Sequence, residues 1–283
     1  MFFMKTHTAS TNYFENNQPF KSYVFDLDQN ILHTKTAIYL LVKQPDTTRK
    51  EEAVPNAEFE TRLQDKENVK FHEDVEYSLR DFHGYDILIA DAFNAIYDDA
   101  YGPSRGKFTT ATIEAVPTHI STARANPREA FREMHRQIIY EILSAWDREK
   151  MVYHMRQHLH DRVKNPEKLI HIYLNNNLYL PCAHSELVEE FGWWKKTGQE
   201  KKGLAFEKCV EKTIDVYTSY YGKRYMKNKD ISIWFSDDNK KNMDAVTQQI
   251  IAKLVQKYPH VSFMLYNTQE PDIITKETIQ RTT

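Results

Sequence analysis

The sequence predicts an α/β domain, a three-layer sandwich whose mainly parallel central sheet carries helices on both faces. Three observations predict it. The runs "SYVFDLD", "ISIWFSDD" and "VSFMLYNT" have the length and residue types of fully buried strands. Amphipathic helical patterns alternate with strands along the chain, the order that builds a parallel sheet. Several strands end in polar or acidic residues, and a parallel sheet gathers ligands beyond those ends.

Residues 1–21 are polar and read as an N-terminal arm, with the domain over 22–283. The first strand lies in "SYVFDLD". From Thr36 to Arg62 a strand, a polar turn and a return predict a hairpin. Residues 65–115 mix aromatic and acidic side chains and carry a turn at "YGPSRGKF", either an ordinary loop or a substrate contact through Arg105 and Lys107. A strand ends near Thr122. A helix follows, with Asn126 as N-cap, Pro127 at the first helical position and Glu129 in capping-box position. Phe131, Met134, Ile138 and Ile142 recur at helical spacing and mark its core face. A polar helical stretch and "LIHIYLNNNLYLP" occupy the segment to residue 200, and a helix begins near Lys202. The strand "ISIWFSDD", a helix marked by Met243, Val246, Ile250 and Leu254, and the strand "VSFMLYNT" complete the order.

A chain of 283 residues that is 41% hydrophobic builds one large domain, or one domain carrying insertions. The net charge of −2 gives no global field for nucleic acid or membrane. Charge is uneven along the chain: Asp65–Asp99 holds ten acids and three bases, Lys195–Lys229 ten bases and four acids. Cys182 and Cys209 form no metal spacing and no disulfide framework, and fit structural thiols in a reducing compartment. The apolar start is too short for a secretion signal, and no run reaches the roughly 18 residues of a membrane span. A cytoplasmic protein without membrane partners is expected.

Asp26 and Asp28 raise the question of chemistry. A calcium loop starting at Asp26 needs Gly at its sixth position and Glu at its twelfth. Those positions are Ile31 and Ala37, which excludes it. Asp26, Asp28, Thr122, Asp237 and Asp238 all fall at strand ends of separate strand-loop-helix units. Four carboxylates brought together repel one another unless a cation neutralises them. Oxygen ligands without nearby His or Cys favour Mg2+, and Lys202 supplies a point charge for phosphate.

These residues resemble the haloacid dehalogenase-like phosphohydrolases over roughly residues 22–268. "FDLDQN" is similar to the first motif, Asp-x-Asp-x-Thr/Val, and "ISTAR" to the second. "KKGLAFEKCV" is similar to the lysine-bearing third, in the register of Lys202 with Lys201 as the fallback. "WFSDDNKKNMDAV" resembles the fourth in its Asp-Asp-x-x-x-Asn form. The resemblance implies a Rossmann-like core with cap-type insertions at about 36–115 and about 145–200. It implies Mg2+-dependent phosphomonoester hydrolysis through an aspartyl-phosphate, with Asp26 as nucleophile and Asp28 as general acid and base. Asp26, the main-chain carbonyl of Asp28, Asp238 and, as a further ligand or supporting acid, Asp237 would hold the metal. Thr122 and Lys202 would bind phosphoryl oxygens, with Asn242 in support. Asn30 departs from the motif and could alter the turn after the nucleophile. Asp28 speaks against dehalogenases, which lack that second acid. A phosphomutase, and a catalytically weak binding or regulatory module, are the alternatives.

A small phosphorylated substrate is expected, with a phosphoprotein or nucleic-acid end left open and the oligomeric state unread. The 93 residues from Gln29 to Ser121 far exceed what a crossover needs. They emerge beside the nucleophile, so the segment is expected to cover the site with aromatics that include Tyr85, Phe93, Tyr97 and Tyr101. His154 and His158 lie four apart but read as a solvated helix face. Arg124, Arg128, Arg132 and Arg136 read as a stripe salt-bridged to Glu129 and Glu133, with a phosphate-contacting surface as the alternative.

Overall fold

The computed structural model describes residues 20–56, 58–227 and 229–268, and the backbone of a strand at Thr275–Ile279. The chain opens with strands β1 (Phe20–Phe25), β2 (Ala37–Lys43) and β3 (Arg49–Pro55), helix α1 (Phe59–Arg62), strand β4 (Val69–Phe71) and helix α2 (Val75–Ser78). Helices α3 (Tyr85–Tyr97) and α4 (Arg105–Ile113) lead to β5 (Thr118–Thr122). Helices α5 (Arg128–Gln137), α6 (Ala145–His158) and α7 (Pro166–Asn176) precede β6 (Tyr179–Pro181). Then come α8 (Ser185–Glu190), α9 (Gly198–Tyr221), α10 (Lys223–Met226) and β7 (Ile231–Asp237). Helices α11 (Lys240–Ala245) and α12 (Ala252–Lys257), joined by a π-helical turn, lead to β8 (Val261–Asn267) and β9 (Thr275–Ile279).

The central sheet has the order β6-β5-β1-β7-β8-β9. Its first five strands are parallel, and β9 pairs antiparallel with β8. Alternation along β1 sorts its side chains between two cores. Val24 joins Phe206, Phe235 and Phe263 on one face, under α9 and the α11–α12 helix. Tyr23 and Phe25 join Phe108, Phe131 and Met134 on the other, under α4 and α5. The predicted core positions Phe131, Met134, Ile138, Met243, Val246, Ile250 and Leu254 are all buried, while Ile142 is partly buried.

The predicted hairpin is β2–β3, and β4 pairs with the other edge of β2 to make a small antiparallel sheet. That sheet has its own core of Ile38, Leu40, Val54, Val69 and Phe82. The 36–115 stretch therefore divides: its first part forms this module, and α3 and α4 contribute to the main core through Leu88, Ala92 and Phe108. The 145–200 stretch likewise yields the edge strand β6 of the central sheet.

Several expectations are corrected. Residues 1–19 of the expected arm lie outside the described residues, but Phe20 and Lys21 belong to β1, where Phe20 packs on Tyr217 and Tyr221. Pro127, not Asn126, caps α5, without a side-chain capping bond. The Asn126 amide instead donates to the Gly84 carbonyl at 2.8 Å. The "YGPSRGKF" turn runs directly into α4 at Arg105. His158 is buried, bonded to the Tyr221 hydroxyl at 2.6 Å, not on a solvated face. Arg124 is buried and precedes α5, so it is no part of a surface stripe. Arg128 pairs with Glu190 and Arg136 with Glu133.

Candidate functional site

Beyond β1 the chain turns sharply, with Gln29 at φ 56°. Asn30 fixes this turn. Its side-chain amide donates to the Asp26 carbonyl at 3.1 Å and the Ser236 carbonyl at 3.0 Å. Its Oδ1 accepts from Ser236 Oγ at 2.8 Å and Thr268 Oγ1 at 3.0 Å. A fully buried carboxamide with four bonds is a structural clip, so the departure at this motif position joins the ends of β1, β7 and β8. Gly102 lies against it: a Cβ there would sit 2.4 Å from the Asn30 carbonyl oxygen, so only glycine fits.

The expected residues of four separate segments meet beside this clip. Asp26, Asp237 and Asp238 each place one carboxylate oxygen within 4.8 Å of the others. Lys202, in the first turns of α9, enters from below. Its Nζ lies 2.8 Å from Asp26 Oδ1, donates to Asp237 Oδ2 at 2.9 Å and to the Ser121 carbonyl at 2.7 Å. The Asp26 contact is a buried ammonium–carboxylate pair at hydrogen-bond length. Lys202 is thus the lysine that reaches the cluster; its neighbour Lys201 is half-exposed. A Thr197–Glu200 capping box starts the helix four residues before the position expected and orients this turn.

Burial opposes the charge on Asp26, Asp238 and Lys202. It raises Asp26 well above the ordinary carboxylate range; Lys202 opposes the rise, and Asp237, Asp238 and Asp28 add to it. Burial, with Asp237 beside it, raises Asp238 to about 7. Burial alone would lower Lys202, but Asp237 and Asp26 outweigh it and hold the ammonium charged. Asp237 is bonded on both oxygens, by Lys202, by Asn242 at 3.1 and 3.2 Å, and by the Asn239 main-chain N–H at 2.9 Å. With all three carboxylates ionised, one ammonium would leave two negative charges unmatched, and burial and mutual repulsion accordingly push Asp26 and Asp238 toward the protonated form. A hard divalent cation with oxygen ligands fits this donor set.

Asp28 faces a different neighbour. Arg124 grips it with two bonds, Nε to Oδ2 at 2.7 Å and an η-nitrogen to Oδ1 at 2.8 Å, and the Thr34 hydroxyl also donates to Oδ1. The same guanidinium contacts Asp91 of α3 at 3.2 Å and the Thr36 hydroxyl. Asp91 in turn accepts from the main-chain N–H groups of Lys35 and Thr36, at 2.9 and 3.1 Å. Burial would raise Asp28, but Arg124 and Thr34 outweigh it and hold the carboxyl below its ordinary range. Sequence reasoning placed Arg124 on the surface and missed this role. The signal lay in its position: two residues past a strand end, before the helix that would have carried it outward.

Thr122 closes β5, buried at the mouth of the site, and accepts from the Arg124 main-chain N–H at 3.3 Å. Asp26, Asp28, Thr122, Arg124, Asp238 and Asn242 all border one cavity of about 810 Å³. Its far wall comes from the small sheet and its helices, through Ile38, Phe59, Phe71, Val75, Leu79 and Phe82. The 36–115 segment therefore borders the cavity, but not through the aromatics expected. Tyr97 is 77% exposed on α3, and Tyr101 lies under the Arg105 guanidinium at 3.4 Å. Neither they nor Tyr85, Phe93, Arg105 or Lys107 borders it, because α3 and α4 pack against the main domain instead. The buried thiols of Cys182 and Cys209 are both raised by desolvation, Cys182 to about 11, as inert core groups are. No helix among the described residues is long and apolar enough to cross a membrane. Comparison with protein-family models, with curated proteins and with solved structures finds no match.

Proposed function

We propose that this protein is a Mg2+-dependent phosphomonoester hydrolase of the haloacid dehalogenase-like kind, acting on a small phosphorylated molecule through an aspartyl-phosphate on Asp26. The convergence of Asp26, Lys202, Asp237 and Asp238 from three distant segments beyond the strand ends carries this reading. Asp26, Asp238 and the Asp28 main-chain carbonyl would hold Mg2+, with Asp237 as a supporting acid anchored to Lys202 and Asn242. Bound there, the ion would offset the negative charge of the carboxylates and of the phosphoryl group.

In the first half-reaction a carboxylate oxygen of Asp26 attacks phosphorus, and the bond to the leaving oxygen breaks. Lys202 and the Thr122 hydroxyl stabilise the phosphoryl oxygens as charge shifts onto them. In the second half-reaction Asp28, ionised against Arg124, takes a proton from water as its oxygen attacks phosphorus, releasing phosphate and the free Asp26 carboxylate. In the first half-reaction Asp28, protonated once the Arg124 grip loosens, gives its proton to the leaving oxygen, and the proton it later takes from water restores it.

Hydrolysis of 4-nitrophenyl phosphate with Mg2+ and its loss in excess chelator test the reading. Acid-quenched protein labelled from a radioactive substrate should carry a hydroxylamine-sensitive phosphate on the peptide containing Asp26. Full activity in chelator, or no such label in single turnover, would refute the metal or the covalent step respectively. Dependence on a bisphosphate activator would indicate a mutase. The grip of Arg124 on Asp28 favours a second reading, a weakly catalytic module that binds phosphorylated ligands. Phosphate binding without turnover would establish it.

A further inference from the structure

Two walls of the 810 Å³ cavity differ in chemistry. The sheet side is polar, with the carboxylates of Asp26, Asp28 and Asp238, the bases Arg124, Lys240 and Lys241, and amide and hydroxyl groups among them. The opposite side presents Ile38, Phe59, Phe71, Val75, Leu79 and Phe82, with Asn56, Thr61, Glu76 and His83 as its polar members. Three of the six apolar groups, Phe59, Phe71 and Leu79, are half-buried against the core of the small sheet and present their remaining surface to the cavity. Val75 is 47% exposed. Phe59, Phe71, Val75 and Leu79 therefore offer apolar surface outside the buried core of the small sheet.

We propose that this wall receives a flat apolar group, an aromatic ring system above all, of a small molecule whose phosphate sits at Asp26. The inference rests on the phosphoryl-transfer reading and adds the substrate class. A sugar could reach Asn56, Thr61, Glu76 and His83, but any hydroxyl laid on Phe59, Phe71, Val75 or Leu79 is buried without a partner and weakens binding. A ring would cover apolar surface that water now wets. The volume falls within the roughly 300–1,000 Å³ of small-molecule pockets. Asp26 and Phe59 line the same cavity, which places both walls within the one site proposed.

Binding of non-hydrolysable probes in Mg2+, measured by calorimetry on the full chain, tests this without turnover. Methylphosphonate carries the head group alone, and 1-naphthylmethylphosphonate adds the ring. The naphthyl probe should bind at least tenfold more tightly. Phe59→Ala should erase most of that gain while leaving methylphosphonate affinity within about twofold. Because Phe59 also packs on the small core, Val75→Glu, at an exposed site, provides the second variant and should do the same. Equal affinity of the two probes would overturn the apolar subsite while leaving the phosphoryl site standing. Binding of neither would overturn the phosphoryl-transfer reading and this inference with it. Tighter binding of a peptide bearing phosphonomethylphenylalanine than of the naphthyl probe would overturn the small-molecule assignment.

Discussion

On one side of the β1 loop, three carboxylates come together and a single ammonium contacts two of them, Asp26 and Asp237. On the other side, Asp28 and Asp91 share a guanidinium, two threonine hydroxyls and two main-chain N–H groups. Both sides are buried, and their central acids are two residues apart. The first side lacks positive charge, while the second is almost satisfied by the protein alone. A buried charge without a partner is costly, and one with aligned donors is tolerated. The first arrangement is therefore the one that the proposed cation would complete. The second ties the β1 loop, the β5 loop and α3 together.

The largest test of this contrast is the pair Asp26→Asn and Asp28→Asn. The first should reduce phosphatase turnover to background with the melting temperature maintained. The second should cost roughly 10²–10⁴-fold, the range of lost general acid–base catalysis. If Asp28→Asn keeps more than about a tenth of the rate, below the loss such catalysis entails, Asp28 belongs to the Arg124 hub and not to the chemistry.

Removing each cation comes next. Lys202→Met and Arg124→Met should each destabilise the fold by roughly 3–5 kcal/mol, as when one partner of a buried pair is lost. Chemical denaturation measures it. Added Mg2+ should restore part of the stability of the Lys202 variant and none of that of the Arg124 variant. Equal rescue of both would abolish the distinction between the two sides.

Ligand linkage gives a smaller effect. Mg2+ at about a hundred times its dissociation constant should stabilise the wild-type chain by roughly 2.7 kcal/mol. Asp238→Ala should weaken that binding more than Asp237→Ala, because Asp237 is already bonded to Lys202, Asn242 and Asn239. The reverse order in calorimetry would make Asp237 the ligand. Ca2+ should bind and inhibit, since it favours more ligands and looser geometry.

Smallest of all, Tyr97→Ala should shift stability by less than about 0.5 kcal/mol, as for surface substitutions generally. It should leave rates on small and bulky phosphates alike unchanged.

These contrasts were unequally legible in the sequence. The first side was readable, because each member ends a strand or starts a helix, and strand order brings such ends to one edge. Asp26, Asp237, Asp238 and Lys202 meet for that reason. The Arg124 hub was not readable. It depends on a loop conformation that turns a charged side chain inward, and on Asp91, whose helix meets the loop only through tertiary packing. The hairpin from Thr36 showed in its polar turn between two strand-like runs. Which aromatics of the following segment face the cavity did not show, because composition says nothing about the face a helix presents. Tyr97 and Phe59 are equally aromatic, yet only Phe59 borders the cavity.

The carboxamide of Asn30 binds Ser236 and Thr268, 206 and 238 residues further along the chain. This has a consequence for biosynthesis. A chain is made from its N-terminus, so Asp26 and Asp28 leave the ribosome long before Lys202, Asp237 and the atoms that fix their loop. Until Thr268 has followed, the turn after Asp26 lacks part of its clip, and the acid cluster is assembled only by contacts of very long sequence separation. Closing such separations is slow. Over the 238 residues that separate Asn30 from Thr268, the nascent chain therefore carries the first acids of its site without the complete clip that holds their loop.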